Sequence, residues 1–317
     1  MDLVSRALRG PIRKGEFRVS THVYKSIAEL KGFSLKSCGP MPEPGEVLMC
    51  SPEHFEIVDV KNPYMGDHIG TINRSLARRQ WETVKNAFEL AGKKVDVIEP
   101  LEGLEDMTFC ANQTFVGLTP TMERICLLSQ MRHPSRRREV PAFEAWFKRH
   151  GYKIAKLKDS SLHFEGAGDA IWHPGKRLLW GGHGFRSQPE AYDDVARIFQ
   201  TPVVLLKLVN EKFYHLDTCF CPLTSESVLI YPSAFDADSL ELILKIFPVV
   251  LTASESEASR NMACNAAVLD GKTAIVQKGA ATVARHMAGM GLRVVEVDTS
   301  EFIKSGGSVY CLKMFVY

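Results

Sequence analysis

Residues 188–208, "QPEAYDDVARIFQTPVVLLKL", combine a helical segment with a short apolar strand that follows it at once. The same order returns at residues 74–100, 140–157, 236–253 and 280–298. Most of these helices also follow a strand-like run, such as "SVLIYPS" at residues 227–233. Apolar side chains at helical spacing followed by a short apolar run are typical of an α/β chain. The sequence therefore predicts five strand–helix–strand units, which share a pattern but almost no residues.

An ordinary doubly wound α/β sheet also alternates strands and helices, so the repeat alone leaves two architectures open. The residues after each closing strand favour one of them. A polar residue stands there in apolar surroundings roughly every 50 residues: Asn112, Glu165, His215, Asn265 and Cys311. Buried polar groups are costly unless they pair with one another. Each of these residues stands at the same position in its repeat unit. This predicts an α/β-propeller of five modules with pseudo-fivefold symmetry, a central polar pocket, and a C-terminal strand that closes the ring.

The composition excludes several function classes. The chain has 317 residues, 45% hydrophobic and 24% charged, which is typical of a globular protein. A net charge of +2 predicts neither nucleic-acid binding nor attachment to a membrane surface. No apolar run approaches the roughly 18 residues of a membrane span. The N-terminal residues lack the apolar core of a secretory signal, so we expect a cytoplasmic protein.

Eight cysteines occur, and no two of them form a Cys-x-x-Cys pair. This absence argues against zinc-ribbon and thioredoxin-like sites, and we expect reduced thiols. His215, Asp217, Cys219 and Cys221 alternate along the sequence, which would also suit a metal site on one strand. Strand neighbours so close seldom all reach one ion, so we expect Cys219 and Cys221 in the core and no metal or cofactor.

A cysteine, a histidine and carboxylates supply the parts of a nucleophilic site. Cys311 would be the nucleophile, His215 the acid and base, and Glu165 the group that holds the imidazole. Asp217 would share one strand face with His215 because it lies two residues beyond it. Three carboxylates beside a thiol, with Asp169 as the third, favour a planar cation such as a guanidinium. Asn265 is expected to be a structural hydrogen-bonding post beneath this site.

The segments "FEGAGD", "HLDTCF", "ACNAAVL" and "GGSVYC" together resemble the guanidino-group modifying superfamily. Arginine deiminases, dimethylarginine dimethylaminohydrolases, amidinotransferases and arginine dihydrolases belong to it. The resemblance implies a propeller of five ββαβ modules over about residues 47–317. It also assigns Cys311, His215 and Glu165 to catalysis, and Asp217 to the guanidinium nitrogens. Arg136 in "MRHPSRRRE" and Arg186 in "GGHGFRS" resemble the arginines that bind the substrate carboxylate.

One departure concerns the reaction. Many members of the superfamily carry an aspartate where "FCANQTFV" has Asn112, and "KNPYM", with Asn62, is similar to a segment of the cyanobacterial arginine dihydrolase. An asparagine can donate a hydrogen bond to the carbonyl oxygen of a ureido product, and an aspartate cannot. The resemblance therefore allows an arginine dihydrolase that releases ornithine, carbon dioxide and ammonia. A one-step hydrolase of arginine or methylarginine stays equally open, and amidino transfer stays open as a lesser alternative.

Residues 1–46 lie outside the repeat and are expected to form an N-terminal extension to a single domain at 47–317. The first 35 residues are expected to form one or two outer helices, and "KSCGPMPEPGE" a connection rich in proline and glycine. The expected partner is a small guanidino substrate, with neither nucleic acid nor membrane. A homo-oligomer is compatible with the sequence.

Overall fold

The computed structural model describes residues 21–317. Within them the strands, β1 to β16 in chain order, are Val23–Tyr24, Glu46–Cys50, Lys94–Ile98, Thr114–Leu118, Arg124–Leu128, Lys153–Ala155, Ala170–Trp172, Leu179–His183, Val203–Lys207, Phe220–Thr224, Ser227–Ile230, Val249–Thr252, Ala267–Leu269, Thr273–Gln277, Arg293–Val297 and Met314–Val316. The α-helices, α1 to α8, are Arg74–Leu90, Pro134–Arg137, Val140–Arg149, Ala191–Phe199, Ala237–Ile246, Glu255–Arg260, Ala281–Gly289 and Ser300–Ile303.

The strands form five mixed sheets of one design. In each sheet the first strand pairs antiparallel with the second, and the second pairs parallel with the third. A helix connects the second strand to the third, as a parallel pair requires. Four of these ββαβ units are continuous: β4 to β6, β7 to β9, β10 to β12 and β13 to β15. The fold is therefore α/β, as predicted.

The fifth unit joins the two ends of the chain. The C-terminal strand β16 pairs antiparallel with β2, with Met314 opposite Leu48, and β2 pairs parallel with β3. Met314 and Val316 are buried. The prediction that the C-terminal strand is interior structure is confirmed.

The five helices that the sequence predicted begin and end close to where it placed them. Helix α1 begins after Asn73, whose side chain accepts a hydrogen bond from the backbone N–H of Leu76. Trp81, Val84 and Phe88 on its inner face are buried. These side chains pack between β2 and the helix, which fixes the first unit.

Four of the third strands are partly exposed, but β9 is buried along most of its length. The reason is β1, which pairs parallel with β9 through Val23 and Val203 and covers that edge. The predicted outer helices fall partly on residues 1–20, outside the described residues. Residues 21–37 contain β1 and a short 3₁₀ turn at Leu35–Ser37, so this part of the helix prediction is wrong.

Candidate active site

The five polar residues singled out in the sequence stand in equivalent places. Each one lies in the loop just before the first strand of a sheet: Asn112 before β4, Glu165 before β7, His215 before β10, Asn265 before β13 and Cys311 before β16. All five are buried. The loops bring a thiol, an imidazole, a carboxylate and two amides into one region of the protein.

Cys311 is held by two side chains. Its Sγ lies 3.1 Å from Oδ2 of Asp217, to which the thiol donates, and 3.1 Å from Nδ2 of Asn265. The Oδ1 atom of Asn265 accepts from the backbone N–H of Ser308 and of Cys311. Asn265 therefore fixes the turn that carries the thiol, which is the structural role expected of it.

The two glycines before Cys311 are required by this turn. Gly306 has φ +76°, which strains other residues, and a Cβ on it would lie 2.8 Å from the hydroxyl of Tyr214. A Cβ on Gly307 would lie 2.5 Å from the ring of Phe109 and 3.2 Å from Cβ of Cys311. Only glycines let the backbone pass this close to the site.

The thiol and its carboxylate partner are both biased toward their protonated forms. Burial raises the pKa of the Cys311 thiol well above its ordinary value, and the charge and hydrogen bond of Asp217 raise it further. Burial raises the pKa of Asp217 to about 6, although the nearby His215 and the hydrogen bond from Cys311 oppose the shift. A bound cation between them would reverse both effects, because it favours the thiolate and the carboxylate.

His215 is held by Glu165. Its Nε2 lies 2.7 Å from Oε2 of Glu165, and that oxygen also accepts from Nη1 of Arg186 at 3.1 Å. The other carboxylate oxygen accepts from the backbone N–H of Arg132. Burial alone would raise the pKa of Glu165, but Arg186 and the hydrogen bond with His215 outweigh it and lower that pKa. The carboxylate is thus an anion that orients the imidazole.

The prediction that His215 and Asp217 share one strand face is wrong. Leu216–Thr218 form a 3₁₀ turn, and the strand begins only at Phe220. Asp169 holds this turn, since its Oδ1 accepts from the backbone N–H of Leu216 and its Oδ2 from the Ser187 hydroxyl. The turn aims the two side chains in different directions, His215 to Glu165 and Asp217 to the thiol.

Asn112 presents an amide donor to the site. Its Oδ1 accepts from Nη1 of Arg136 at 2.8 Å, and because a guanidinium only donates, this contact fixes which way the amide faces. Its Nδ2 is buried and has no hydrogen-bond partner among the described residues. A Cβ on Gly168 would lie 2.4 Å from that nitrogen and 3.2 Å from Nδ1 of His215. The free amide hydrogens therefore lie near the imidazole.

Arg136 and Asn62 have partners of their own. The guanidinium of Arg136 also pairs with the carboxylate of Glu139 at 3.1 Å. Asn62 donates through Nδ2 to the Tyr214 hydroxyl and to the carbonyl of Ser305, and its Oδ1 accepts from the backbone N–H of Tyr64. Asn62 thus ties its segment to the loop before Cys311, whereas Asn112 keeps its donor free.

A cavity of about 20 Å³ adjoins the thiol. This is close to the minimum that one water molecule needs, so the lining must move before a ligand of amino-acid size enters. The lining residues are Lys61, Asn62, Met65, Asp106, Phe109, Asn112, Arg136, Arg186, Tyr214, Ser305, Gly307 and Cys311.

The sequence missed two contributors to this site. Lys61 forms buried ion pairs with Glu105 and Asp106, and its backbone carbonyl accepts from Arg186. The ring of Tyr214 lies 4.6 Å from the Arg186 guanidinium. Lys61 directly precedes Asn62, and Tyr214 directly precedes His215. Their position next to a predicted site residue was the only feature of the sequence that could have indicated them.

Cys219 and Cys221 lie in the hydrophobic core, as predicted. Cys219 donates to the carbonyl of Leu216 and Cys221 to that of Ala266, and both are buried. Burial raises the pKa of each thiol, and that of Cys221 reaches about 12.

Among residues 21–317 no helix has the length and apolar character needed to cross a membrane.

This fold and this constellation define a class: α/β proteins of five mixed sheets with a buried cysteine, histidine and carboxylates at the loops before the first strands. The chain belongs to the guanidino-group modifying superfamily. It is 32% identical over 276 residues to the N(G),N(G)-dimethylarginine dimethylaminohydrolase of Mycobacterium tuberculosis, across 87% of each chain. No protein-family model matches it.

Two further comparisons concern arginine dihydrolases. The chain is 37% identical over 271 residues to the bifunctional arginine dihydrolase/ornithine cyclodeaminase ArgZ of Synechocystis sp., over 85% of this chain but only 37% of that protein. The structure of the N-terminal domain of ArgZ bound to substrate matches with a TM-score of 0.81 and 36% identity, over 86% of this chain and 97% of that domain. The chain thus spans little more than a third of the full ArgZ protein.

Proposed function

We propose that this protein is a cysteine hydrolase that acts on the guanidino group of arginine or a close derivative through a covalent thiouronium-type intermediate. One observation carries the proposal. Near the Cys311 thiol, Oδ1 of Asp217 is a buried acceptor and Nδ2 of Asn112 is a buried donor, and neither has a hydrogen-bond partner within residues 21–317. Unsatisfied buried polar atoms of this kind call for a ligand with matching groups. Guanidinium N–H groups suit the carboxylate, and a ureido oxygen suits the amide.

The first half of the reaction follows from the contacts of Cys311. A guanidinium against Asp217 stabilises the carboxylate and the thiolate together. The thiol gives its proton to His215, and the sulfur attacks the guanidinium carbon to form a C–S bond as the C–N double bond opens. The imidazolium of His215, held by Glu165, gives its proton to the leaving nitrogen, and ammonia departs as the C–N bond breaks.

Water completes the hydrolysis. His215 takes a proton from the water, the hydroxide attacks the same carbon, and the C–S bond breaks to leave a ureido group and the thiolate. In a dihydrolase this ureido product stays bound and undergoes a second attack, which gives ornithine, carbon dioxide and a second ammonia. The free amide hydrogens of Asn112 support this second round, because they can hold the ureido oxygen.

The other site residues have supporting roles in this proposal. Arg136 and Arg186 line the cavity and provide the positive field for the substrate carboxylate. Asn62 holds the segment that closes over the substrate, and Asp169 positions the turn that carries His215 and Asp217. None of these steps requires a cofactor.

A one-step hydrolase is the second candidate. The Mycobacterium tuberculosis relative matches over most of both chains and is named a dimethylarginine dimethylaminohydrolase. In that case the reaction stops at citrulline and releases ammonia or a methylated amine. Amidino transfer would need an acceptor amine in place of water.

We further propose that the five sheets surround one pseudo-fivefold axis as an α/β-propeller. The first strands of all five sheets line a common cavity, which supports this arrangement. Residues 47–317 would form the single domain and residues 1–46 its extension. Eight free cysteines support a cytoplasmic location. A homo-oligomer is a further proposal that sedimentation would test.

The covalent intermediate provides the test. Protein mixed with arginine and quenched in acid should carry an adduct on the Cys311 peptide by mass spectrometry, and Cys311→Ala should carry none and turn nothing over. Cys221→Ala is the matched control, since this buried thiol lies away from the reacting groups and should leave the adduct intact. Turnover by Cys311→Ala at the parent rate would overturn the proposal.

A further inference from the structure

A second cavity lies farther along the strands that the active-site loops precede. Its volume is about 90 Å³, and β4, β7, β10, β13 and β16 all contribute to its wall. The wall is mostly apolar and aromatic, with Trp172, Tyr310 and Phe315 among its side chains. None of the catalytic residues lines it.

The cavity contains a buried lysine that forms no ion pair with any residue from 21 to 317. Lys313 is 1% exposed. Its Nζ lies 3.0 Å from the ring centroid of Tyr310 and 4.0 Å from that of Phe315. Among the described residues its side chain forms no ion pair and no hydrogen bond. A buried ammonium is costly without an anion, and aromatic faces compensate only part of that cost.

Among the described residues that line the wall, Glu43 is the only acidic side chain; it is exposed and forms no ion pair with Lys313. Burial lowers the pKa of Lys313 to about 7, although the charges of Asp217 and Cys311 oppose the shift. An anion in the cavity would restore the charged form of the lysine.

We propose that this cavity is a binding site for a small organic carboxylate, whose oxygens meet the Lys313 ammonium and whose apolar body packs against Trp172 and Phe315. A singly charged carboxylate matches one ammonium, and the aromatic wall favours a short aliphatic tail over a hydrated inorganic ion. The site is separate from the hydrolase site, so its existence does not depend on the proposed reaction.

Isobutyrate is a suitable probe, and isobutyramide is its uncharged counterpart of the same shape. Isothermal titration should show saturable binding of isobutyrate to the parent protein and at least tenfold weaker binding of isobutyramide. Lys313→Met should lose isobutyrate binding at least tenfold, and Lys313→Arg should keep most of it. Methionine suits an aromatic pocket, so this variant is expected to fold.

Lys304→Met is the matched control, because it removes the same charge from a lysine outside the cavity wall. It should bind isobutyrate as the parent does. Three results would overturn the proposal: no saturable binding to the parent, equal binding by Lys313→Met, or equal binding of isobutyramide. Equal loss in both lysine variants would indicate a general effect of charge and would overturn it too.

Discussion

Replacing Asn112 by aspartate tests the role of its free amide donor. In the parent, Oδ1 of Asn112 accepts from Arg136, and Nδ2 has no hydrogen-bond partner in the part of the chain that the structure describes. Asn112→Asp keeps the contact with Arg136, because a carboxylate oxygen accepts equally well. It replaces the free donor with an acceptor, so a ureido oxygen at this position loses a hydrogen bond and meets a negative charge.

The size of the effect follows from the cost of an unpaired buried polar group, about 1–3 kcal/mol. At about 1.4 kcal/mol per tenfold change, kcat/KM for citrulline should fall about 5- to 150-fold. Arginine consumption should fall much less, because a guanidinium offers donors that an added carboxylate accepts. The main product from arginine should shift from ornithine toward citrulline.

The assay quantifies ornithine and citrulline by liquid chromatography with mass spectrometry, with arginine and citrulline offered separately. Asn261→Asp is the matched control, since it makes the same chemical change at a residue outside the site. An unchanged ratio of ornithine to citrulline in Asn112→Asp would refute the role given to this amide.

Three further variants test the surrounding geometry. Asp217→Asn should lower the pKa of the Cys311 thiol, because its charge and hydrogen bond contribute to raising it; iodoacetamide alkylation against pH measures this. Glu165→Gln should lower kcat at least 100-fold. The pKa of Glu165 is lowered in the folded protein. Its charge therefore stabilises the folded state above the ordinary pKa of a glutamate, and this stabilisation is lost as the pH falls. Between about pH 5 and about pH 3, the Tm of Glu165→Gln should therefore fall less than the Tm of the parent. Gly168→Ala should lower kcat at least tenfold with a small change in Tm, since its Cβ would displace Asn112.

Each of these has a contrary outcome. An alkylation profile of Asp217→Asn that matches the parent would mean that the carboxylate does not influence the thiol. A Glu165→Gln variant as sensitive to acid as the parent would remove the stabilising role of that charge. Full activity in Gly168→Ala would show that the loop accommodates the added Cβ without displacing Asn112. Gly289→Ala is the control for this variant, because a Cβ there meets nothing within 4 Å.

The sequence predicted the helices of the five repeat units well because each one carries an amphipathic pattern, whereas α2, α6 and α8 are too short to show one. Helix α1 was expected within residues 74–94 and spans Arg74–Leu90. The first strand of each sheet was harder to see. Ala170–Trp172 and Ala267–Leu269 are only three residues long, and a strand so short shows no period. Their pairing depends on tertiary contacts that propensity does not encode.

The sequence indicated which residues form the candidate site, but it did not predict their local geometry. Regular spacing marked Asn112, Glu165, His215, Asn265 and Cys311, because equivalent loops of a repeated unit lie close together. Alternation along the sequence suggested a strand at His215. A 3₁₀ turn forms there instead, held by two backbone hydrogen bonds and by one that the N–H of Leu216 donates to Asp169. Side-chain hydrogen bonds of that kind follow from the fold and not from local sequence.

The free donor of Asn112 could not be predicted either. An asparagine side chain can turn its amide either way, and only the position of Arg136 decides which atom faces the site. Lys313 was overlooked because a lone lysine next to a strand usually reaches solvent.

The most direct test of the central claim is the identity of the products. Purified protein is incubated separately with arginine, monomethylarginine, dimethylarginine and citrulline, and the products are measured by mass spectrometry together with released ammonia. Our account predicts one ornithine and two ammonia molecules for each arginine consumed, and no consumption by Cys311→Ala. Citrulline as the final product, with no ornithine formed from any substrate, would contradict the two-step reaction, and consumption of none of the four would contradict the hydrolase itself.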